Sequence, residues 1–215
     1  MKWSLSGFDS YIASLADSCR SPALTDLMFW ITYLGKWQSL TIFFIAAIAL
    51  FLRHKERFEA LFLSFSFVGS LLIVYLLKTL FKRQRPDMAV YIESGYSFPS
   101  AHAVVAITLY ALLFYLLARR IEGRFLKGIV FMAGAVLVLF IGISRIYLGV
   151  HYASDVLAGF ALGLGWVLVV NHVLKRFCRS VPLFEGRGFR FDPFDAITLL
   201  SALTIFFIYW SIMGV

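Results

Sequence analysis

In 215 residues this chain carries 61% hydrophobic side chains and 15% charged ones, with a mean hydropathy of +0.85. Soluble domains run nearer half apolar and a quarter charged, which excludes an ordinary soluble fold and points to a single membrane-embedded domain. The net charge of +8 would suggest nucleic acid in a soluble protein. Here the basic residues fall in short segments between apolar runs, with no polar domain on which to build such a face, so no nucleic-acid partner is expected.

In chain order, residues 1–20 lack a continuous apolar stretch, and no cleaved signal peptide is expected. Residues 5–34 read as one or two amphipathic helices at the membrane interface, broken around Ser21-Pro22, with 22–35 as an alternative extension of the first span. Apolar runs follow at about 37–53, 58–78, 103–118, 128–148, 153–174 and 195–214. Each is near the ~20 residues that cross a ~30 Å hydrocarbon core. The fold class expected is therefore all-α: a polytopic bundle of about six transmembrane helices. Its organisation would be an amphipathic region over 1–35, a membrane core over 36–176, and a basic loop with a last span over 177–215.

The segments 53–59, 118–127 and 175–191 hold 12 of the chain's 20 Lys and Arg, and all fall on one side if every run spans. The positive-inside rule makes that side cytoplasmic. This predicts a multi-pass protein of a bacterial-type cell membrane whose remaining loops, 79–102 and the turn near 149–152, face away from the cytoplasm. Cys19 and Cys178 would then lie at opposite faces, unable to pair, and two cysteines make neither a disulfide framework nor a metal knuckle. Gly159 and Gly163 are four apart, a spacing that suits close helix packing.

Chemistry gathers in the non-cytoplasmic segments. Lys78, Lys82, Arg83 and Arg85 sit where the topology rule disfavours cations, which suggests an anion to be held; for Lys82 and Arg83 a lipid-headgroup contact explains the charge equally well. Ser97-Phe98-Pro99-Ser100-Ala101-His102 leads into an apolar run, with Pro99 and Ser100 expected in the first helical turn, whose free N–H groups attract anions. Ser144-Arg145 ends one span, and His151 and Asp155 follow four residues apart, on one face if both are helical. A carboxylate there can fix one imidazole tautomer and leave the other nitrogen free to attack. Zinc would need a third ligand such as His102, but three neighbouring cations repel a metal ion, so neither metal nor cofactor is expected.

Taken together, Lys78-x6-Arg85-Pro86, Pro99-Ser100-Ala101-His102 and Ser144-Arg145-x5-His151-x3-Asp155 resemble the three signature motifs of the type 2 phosphatidic acid phosphatase (PAP2) superfamily. The likeness spans roughly residues 37–175, with the motifs in the family's order. It implies an all-helical core in which Lys78, Arg85, Ser100, the Ala101 backbone N–H and Arg145 hold phosphate. It also implies His151 as nucleophile, Asp155 as its orienting partner and His102 as general acid. Ala101 stands where the family commonly has Gly, a change a backbone contact tolerates. The family's membrane members often open with a spanning helix that is not evident here, while 195–214 adds one at the end. The implied partners are membrane lipids and a lipid phosphate substrate, among them undecaprenyl diphosphate, phosphatidylglycerol phosphate and phosphatidic acid. The oligomeric state is not implied. A phosphotransferase that passes phosphate to another lipid would use the same residues, and the sequence leaves that open.

Overall fold

A computed structural model describes residues 6–177 and 193–213. Among them the secondary structure is helical throughout: α1 Ser6–Ser18, α2 Pro22–Tyr33, α3 Trp37–Arg53, α4 Arg57–Phe81, α5 Ala101–Val105, a π-helical segment Ala106–Ala111, α6 Leu112–Ala118, α7 Arg124–Tyr147, α8 Ala153–Phe177 and α9 Pro193–Ile212. Ser21 caps α2, its hydroxyl accepting from the Leu24 N–H at 3.4 Å, and Pro22 opens that helix without forfeiting a hydrogen bond. The expected break in the amphipathic region therefore falls where Ser-Pro places it.

α4, α7, α8 and the continuous run Ala101–Ala118 are each long and apolar enough to cross a membrane. α2 and α3 make a fifth such unit if they count as one span, bent by 49° between them. Among the described residues that makes four candidate spans, or five with the bent pair, so the expected count of about six is not confirmed. Cys178 lies outside the described residues, as does the expectation about its pairing; Cys19 is exposed.

A central core joins α3, α4, α7, α8 and the Ala101–Ala118 run, with Phe51, Leu63, Leu109 and Ile141 almost wholly enclosed. Many outward residues of the spans are large and apolar, among them Leu72, Tyr75, Leu139 and Leu164, as hydrocarbon contact requires. Gly159 and Gly163 lie where α8 meets the start of the Ala101 run. A Cβ at Gly159 would stand 2.8 Å from Ala103 Cβ and from the Ser100 carbonyl, and one at Gly163 2.8 Å from Ile107 Cβ. Close packing is thus what this glycine pair supports. A second, smaller cluster of Met28, Tyr147, Leu148 and Val150, with Phe29 and Tyr91 against it, ties α2 and the 89–91 segment to the turn between α7 and α8.

The helices run so that one end of the bundle gathers the C-terminus of α4, the N-terminus of α5, the C-terminus of α7 and the N-terminus of α8. At the opposite end Arg120 pairs with Glu56 at 2.8 Å and with Glu59, while Arg53 and His54 pair with Asp195 of α9. These pairs hold charges that would otherwise be buried alone.

Candidate active site

α4 delivers Lys78 from its last turn and ends at Lys82, which adopts a left-handed conformation (φ 47°) and turns the chain toward Arg83 and Arg85. Lys78 Nζ donates to the carbonyls of Tyr96 and Ser97. Arg85 donates to the carbonyls of Gly95 at 3.0 Å, Ser94 at 3.1 Å and Val150 at 2.8 Å, so the 94–97 segment folds back over the two cations.

α5 begins at Ala101 with Ser100 as its N-cap, so Pro99 precedes the helix instead of occupying its first turn. The Ser100 hydroxyl makes no capping bond. It is buried without a partner, while the Ser100 N–H donates to the Asp155 carbonyl at 3.1 Å. Ala101 is the first helical residue, where the backbone N–H has no acceptor inside the helix. His102 is 7% exposed, and its Nε2 is also buried without a partner. Its ring lies against Gly35, at the bend between α2 and α3: a Cβ there would stand 2.1 Å from the imidazole Cδ2. Gly35 is a site residue the motifs do not reveal.

Arg145 closes α7 with no solvent exposure. Its guanidinium donates to Thr32 Oγ1 at 2.6 Å and Tyr91 Oη at 2.7 Å, and pairs with Glu93. Tyr91 in turn donates to Glu93 at 2.7 Å, and burial foremost pushes its phenol up to about 12, so it keeps that proton. Burial works to raise the Glu93 carboxyl, but the cations, Arg145 first, hold it well below the usual carboxylate range. Glu93 also stands 3.7 Å from Arg85. It is therefore an acidic member of the site that the sequence reading missed.

After Arg145 the chain turns at Gly149 (φ 69°), where the Met88 carbonyl approaches too closely for a side chain. His151 lies in this turn, before α8 begins, not on the helix with Asp155 as the spacing suggested. The two still meet: His151 Nδ1 is 3.5 Å from Asp155 Oδ2. On the other side of the ring, Nε2 is 3.2 Å from Arg85 Nη1. A guanidinium only donates, so Nε2 must accept, and the ring proton belongs on Nδ1, facing the carboxylate. Burial first, then Arg145, Arg85 and Lys78, push His151 well below the ordinary imidazole value. The ring is accordingly neutral at physiological pH, with Nε2 as its basic atom. Beside it opens a cavity of about 410 Å³, bordered by Asp9, Asp87, Met88, Gly149 and Tyr152.

All eight residues singled out by the motifs thus lie at one end of the bundle. Lys82 is exposed, as the headgroup reading allows. Arg83 is not: its side chain is 12% exposed and donates to Asp155 Oδ1 at 2.6 Å, so the headgroup reading fails for it. Among the described residues no group of three or more His, Cys, Asp and Glu is placed to hold a metal ion. Two neutral-capable imidazoles, one hydroxyl and one helix N-terminus facing three cations suit an oxyanion with a leaving group that needs a proton.

Known proteins resemble this chain in sequence and in fold. The family model of the PAP2 superfamily matches residues 59–179. Phosphatidylglycerophosphatase B of Bacillus subtilis is 34% identical over 175 residues, covering 79% of this chain and 86% of that protein. Decaprenylphosphoryl-5-phosphoribose phosphatase of Mycobacterium tuberculosis is 40% identical over 142 residues, covering 64% and 71%. The crystal structure of a transmembrane PAP2-type phosphatidylglycerolphosphate phosphatase from B. subtilis superposes with a TM-score of 0.68 at 34% identity, over 82% of this chain and 87% of that one.

Proposed function

The chain belongs to the PAP2 superfamily, and from that premise we propose that it is a membrane lipid phosphatase working through a phosphohistidine on His151, without a metal. The observation that carries this is the pair of buried polar atoms left without partners at the site, Ser100 Oγ and His102 Nε2, in a site that also holds His151 and the cations Lys78, Arg85 and Arg145. Buried polar groups are normally satisfied, so an unpaired cluster at a cationic pocket fits a site built for an anion.

In this reading the phosphate oxygens are held by the three cations, the Ser100 hydroxyl and the Ala101 N–H. With the phosphate dianion bound, His102 is in its protonated form; His151 Nε2 attacks phosphorus as the bond to the lipid oxygen breaks, and His102 gives that oxygen its proton. The Nδ1 proton stays on the ring, drawn toward Asp155, which stabilises the positive charge of the phosphorylated imidazole. His102, now neutral, takes a proton from water as the water oxygen attacks phosphorus. Inorganic phosphate leaves and His151 regains its lone pair. The 3.5 Å gap between His151 and Asp155 closes to hydrogen-bonding distance as that charge develops.

For the substrate we favour a glycerophospholipid monophosphate, phosphatidylglycerol phosphate first. The B. subtilis phosphatase with that name shares most of its length with this chain, and the decaprenylphosphoryl phosphatase supports polyprenyl phosphates as the next class. We take the side of the membrane from the charge bias: the basic segments 53–59 and 118–127 lie at the end opposite His151, which supports a site at the non-cytoplasmic headgroup plane. The test is phosphate release by the pure protein from phosphatidylglycerol phosphate, phosphatidic acid and undecaprenyl diphosphate in detergent with excess EDTA. Release from the first at the highest kcat/KM is expected. Activity that vanishes with EDTA and returns with a divalent ion would overturn the metal-free mechanism.

A further inference from the structure

Among the described side chains of α1, Asp9 alone is buried, at 3% exposure, in a helix whose other side chains are half-buried or exposed. An unpaired carboxylate there would cost several kcal/mol, on the order of the usual penalty for a buried ion. Asp9 is paired three ways. Its Oδ1 accepts from the Ser154 N–H at 2.9 Å, capping α8 from outside. Its Oδ2 accepts from the Ser154 hydroxyl at 2.6 Å and from Arg83 Nη2 at 2.8 Å. The other terminal nitrogen of Arg83 donates to Asp155 Oδ1 at 2.6 Å and to Ser154 Oγ at 2.7 Å. The guanidinium also lies 4.1 Å from the centre of the Tyr152 ring, so it is fixed in orientation as well as in charge. Asp155 completes the chain of contacts: its Oδ2 accepts the Tyr152 N–H at 2.9 Å and faces His151.

We propose that Asp9 and Arg83 are positioning residues for the His151–Asp155 pair, Arg83 clamping Asp155 from behind while Asp9 balances the charge of Arg83. The inference rests on the reading of His151 as nucleophile. Its logic is electrostatic. Asp155 bound to Arg83 alone would be a neutral pair, with little charge left to offset the positive ring that phosphorylation creates. Adding Asp9 restores one net negative charge behind the imidazole. The site needs it, because His151 is faced by the cations Arg145, Arg85 and Lys78 and by neutral-capable His102, against Glu93 and Asp155 as anions among the described residues. Burial acts to raise the Asp9 carboxyl, but bonds from Ser154 and Arg83 hold it below the usual range, so the charge is present near neutral pH. The amphipathic N-terminal helix is then part of the catalytic apparatus, not only a membrane anchor.

Asp9→Asn and Arg83→Gln each test this, beside His151→Ala, with kcat, KM and the pH profile of kcat/KM measured in detergent. Asp9→Asn should lower kcat about tenfold with KM within about twofold, since the phosphate contacts are untouched. The two variants should displace the acid limb of the profile in opposite directions. Loss of Asp9 leaves a cation unbalanced and moves the limb to lower pH; loss of Arg83 moves it to higher pH. Either variant alone decides the sign if the other does not purify. Wild-type kcat, or a lower melting temperature with the profile unmoved, would overturn the proposal and leave Asp9 as an anchor. Turnover surviving in His151→Ala would instead overturn the nucleophile reading itself.

Discussion

Gly159→Ala probes the seam that assembles the site. α8 carries Asp155 and follows His151, while α5 carries His102 and has Ser100 as its N-cap, and the two helices touch at Gly159. The added Cβ would lie 2.8 Å from both the Ser100 carbonyl and Ala103 Cβ, whereas ordinary contact starts near 3.4 Å. One neighbour is backbone and cannot rotate away, so the helices must part by about 0.6 Å. Overpacking of this kind costs roughly 1–3 kcal/mol, against about 1 kcal/mol gained from replacing glycine in a helix. Stability should therefore fall by no more than about 2 kcal/mol, and the protein should still fold. Catalysis is more sensitive: a misplacement near 1 Å costs about a hundredfold, so a drop of about tenfold or more in kcat is expected. Gly165→Ala is the control, because nothing lies within 4 Å of its Cβ position. The assay is phosphate release from a lipid phosphate, with thermal unfolding followed in parallel. Wild-type turnover in Gly159→Ala, or an equal loss in Gly165→Ala, would refute the claim that this seam sets the geometry.

His102→Ala should reduce turnover of alkyl phosphates by about 10²–10⁴-fold but cost far less with aryl phosphates, whose leaving groups need little protonation; equal losses would remove His102 as the acid. Because His151 is held neutral by burial and neighbouring cations, its folded pKa lies below the ~6.5 of an unfolded chain. The unfolded state then binds the extra proton, so stability contributed by this group is full above ~6.5 and declines as pH falls through that value. Thermal unfolding at pH 7.5 and 5 should show the loss, and His151→Ala should lessen it. In a background lacking Cys19 and Cys178, a cysteine at Ile92, which is fully exposed, should label in intact cells with an impermeant maleimide. One at Glu122 should stay protected until the membrane is permeabilised; the reverse pattern would place the site on the cytoplasmic side.

Much of this molecule is readable along the chain because its determinants are local. The run at 37–53 coincides with α3, since a membrane helix needs only an apolar stretch with polar ends. Gly159 and Gly163 announced their role because small residues four apart leave one face open. The motif residues could be grouped because the spans alternate direction and return each to the same end. What stayed hidden depends on contacts between distant segments. Asp9 bonds to Ser154 across 145 positions, and nothing in the periodicity of a short amphipathic helix marks one of its acids as buried. Arg83 read equally well as a headgroup contact or an anion ligand until its carboxylate partners came into view. Glu93 and Gly35 likewise gain meaning only from Arg145 and His102, which reach them through the fold. The turn holding His151 departs from the helical spacing argument because Gly149 reverses the chain just before it, yet the pair with Asp155 survives.

The covalent intermediate tests the account most directly. The protein should be mixed with lipid phosphate carrying a radioactive phosphoryl group, quenched with alkali within milliseconds and digested. The label is expected on the peptide containing His151, stable in base and lost in acid as an N-linked phosphate is, absent from His151→Ala, and more abundant in variants whose discharge to water is slowed. Phosphate release at the wild-type rate with no labelled enzyme at any time, or label on another residue, would contradict His151 as the nucleophile.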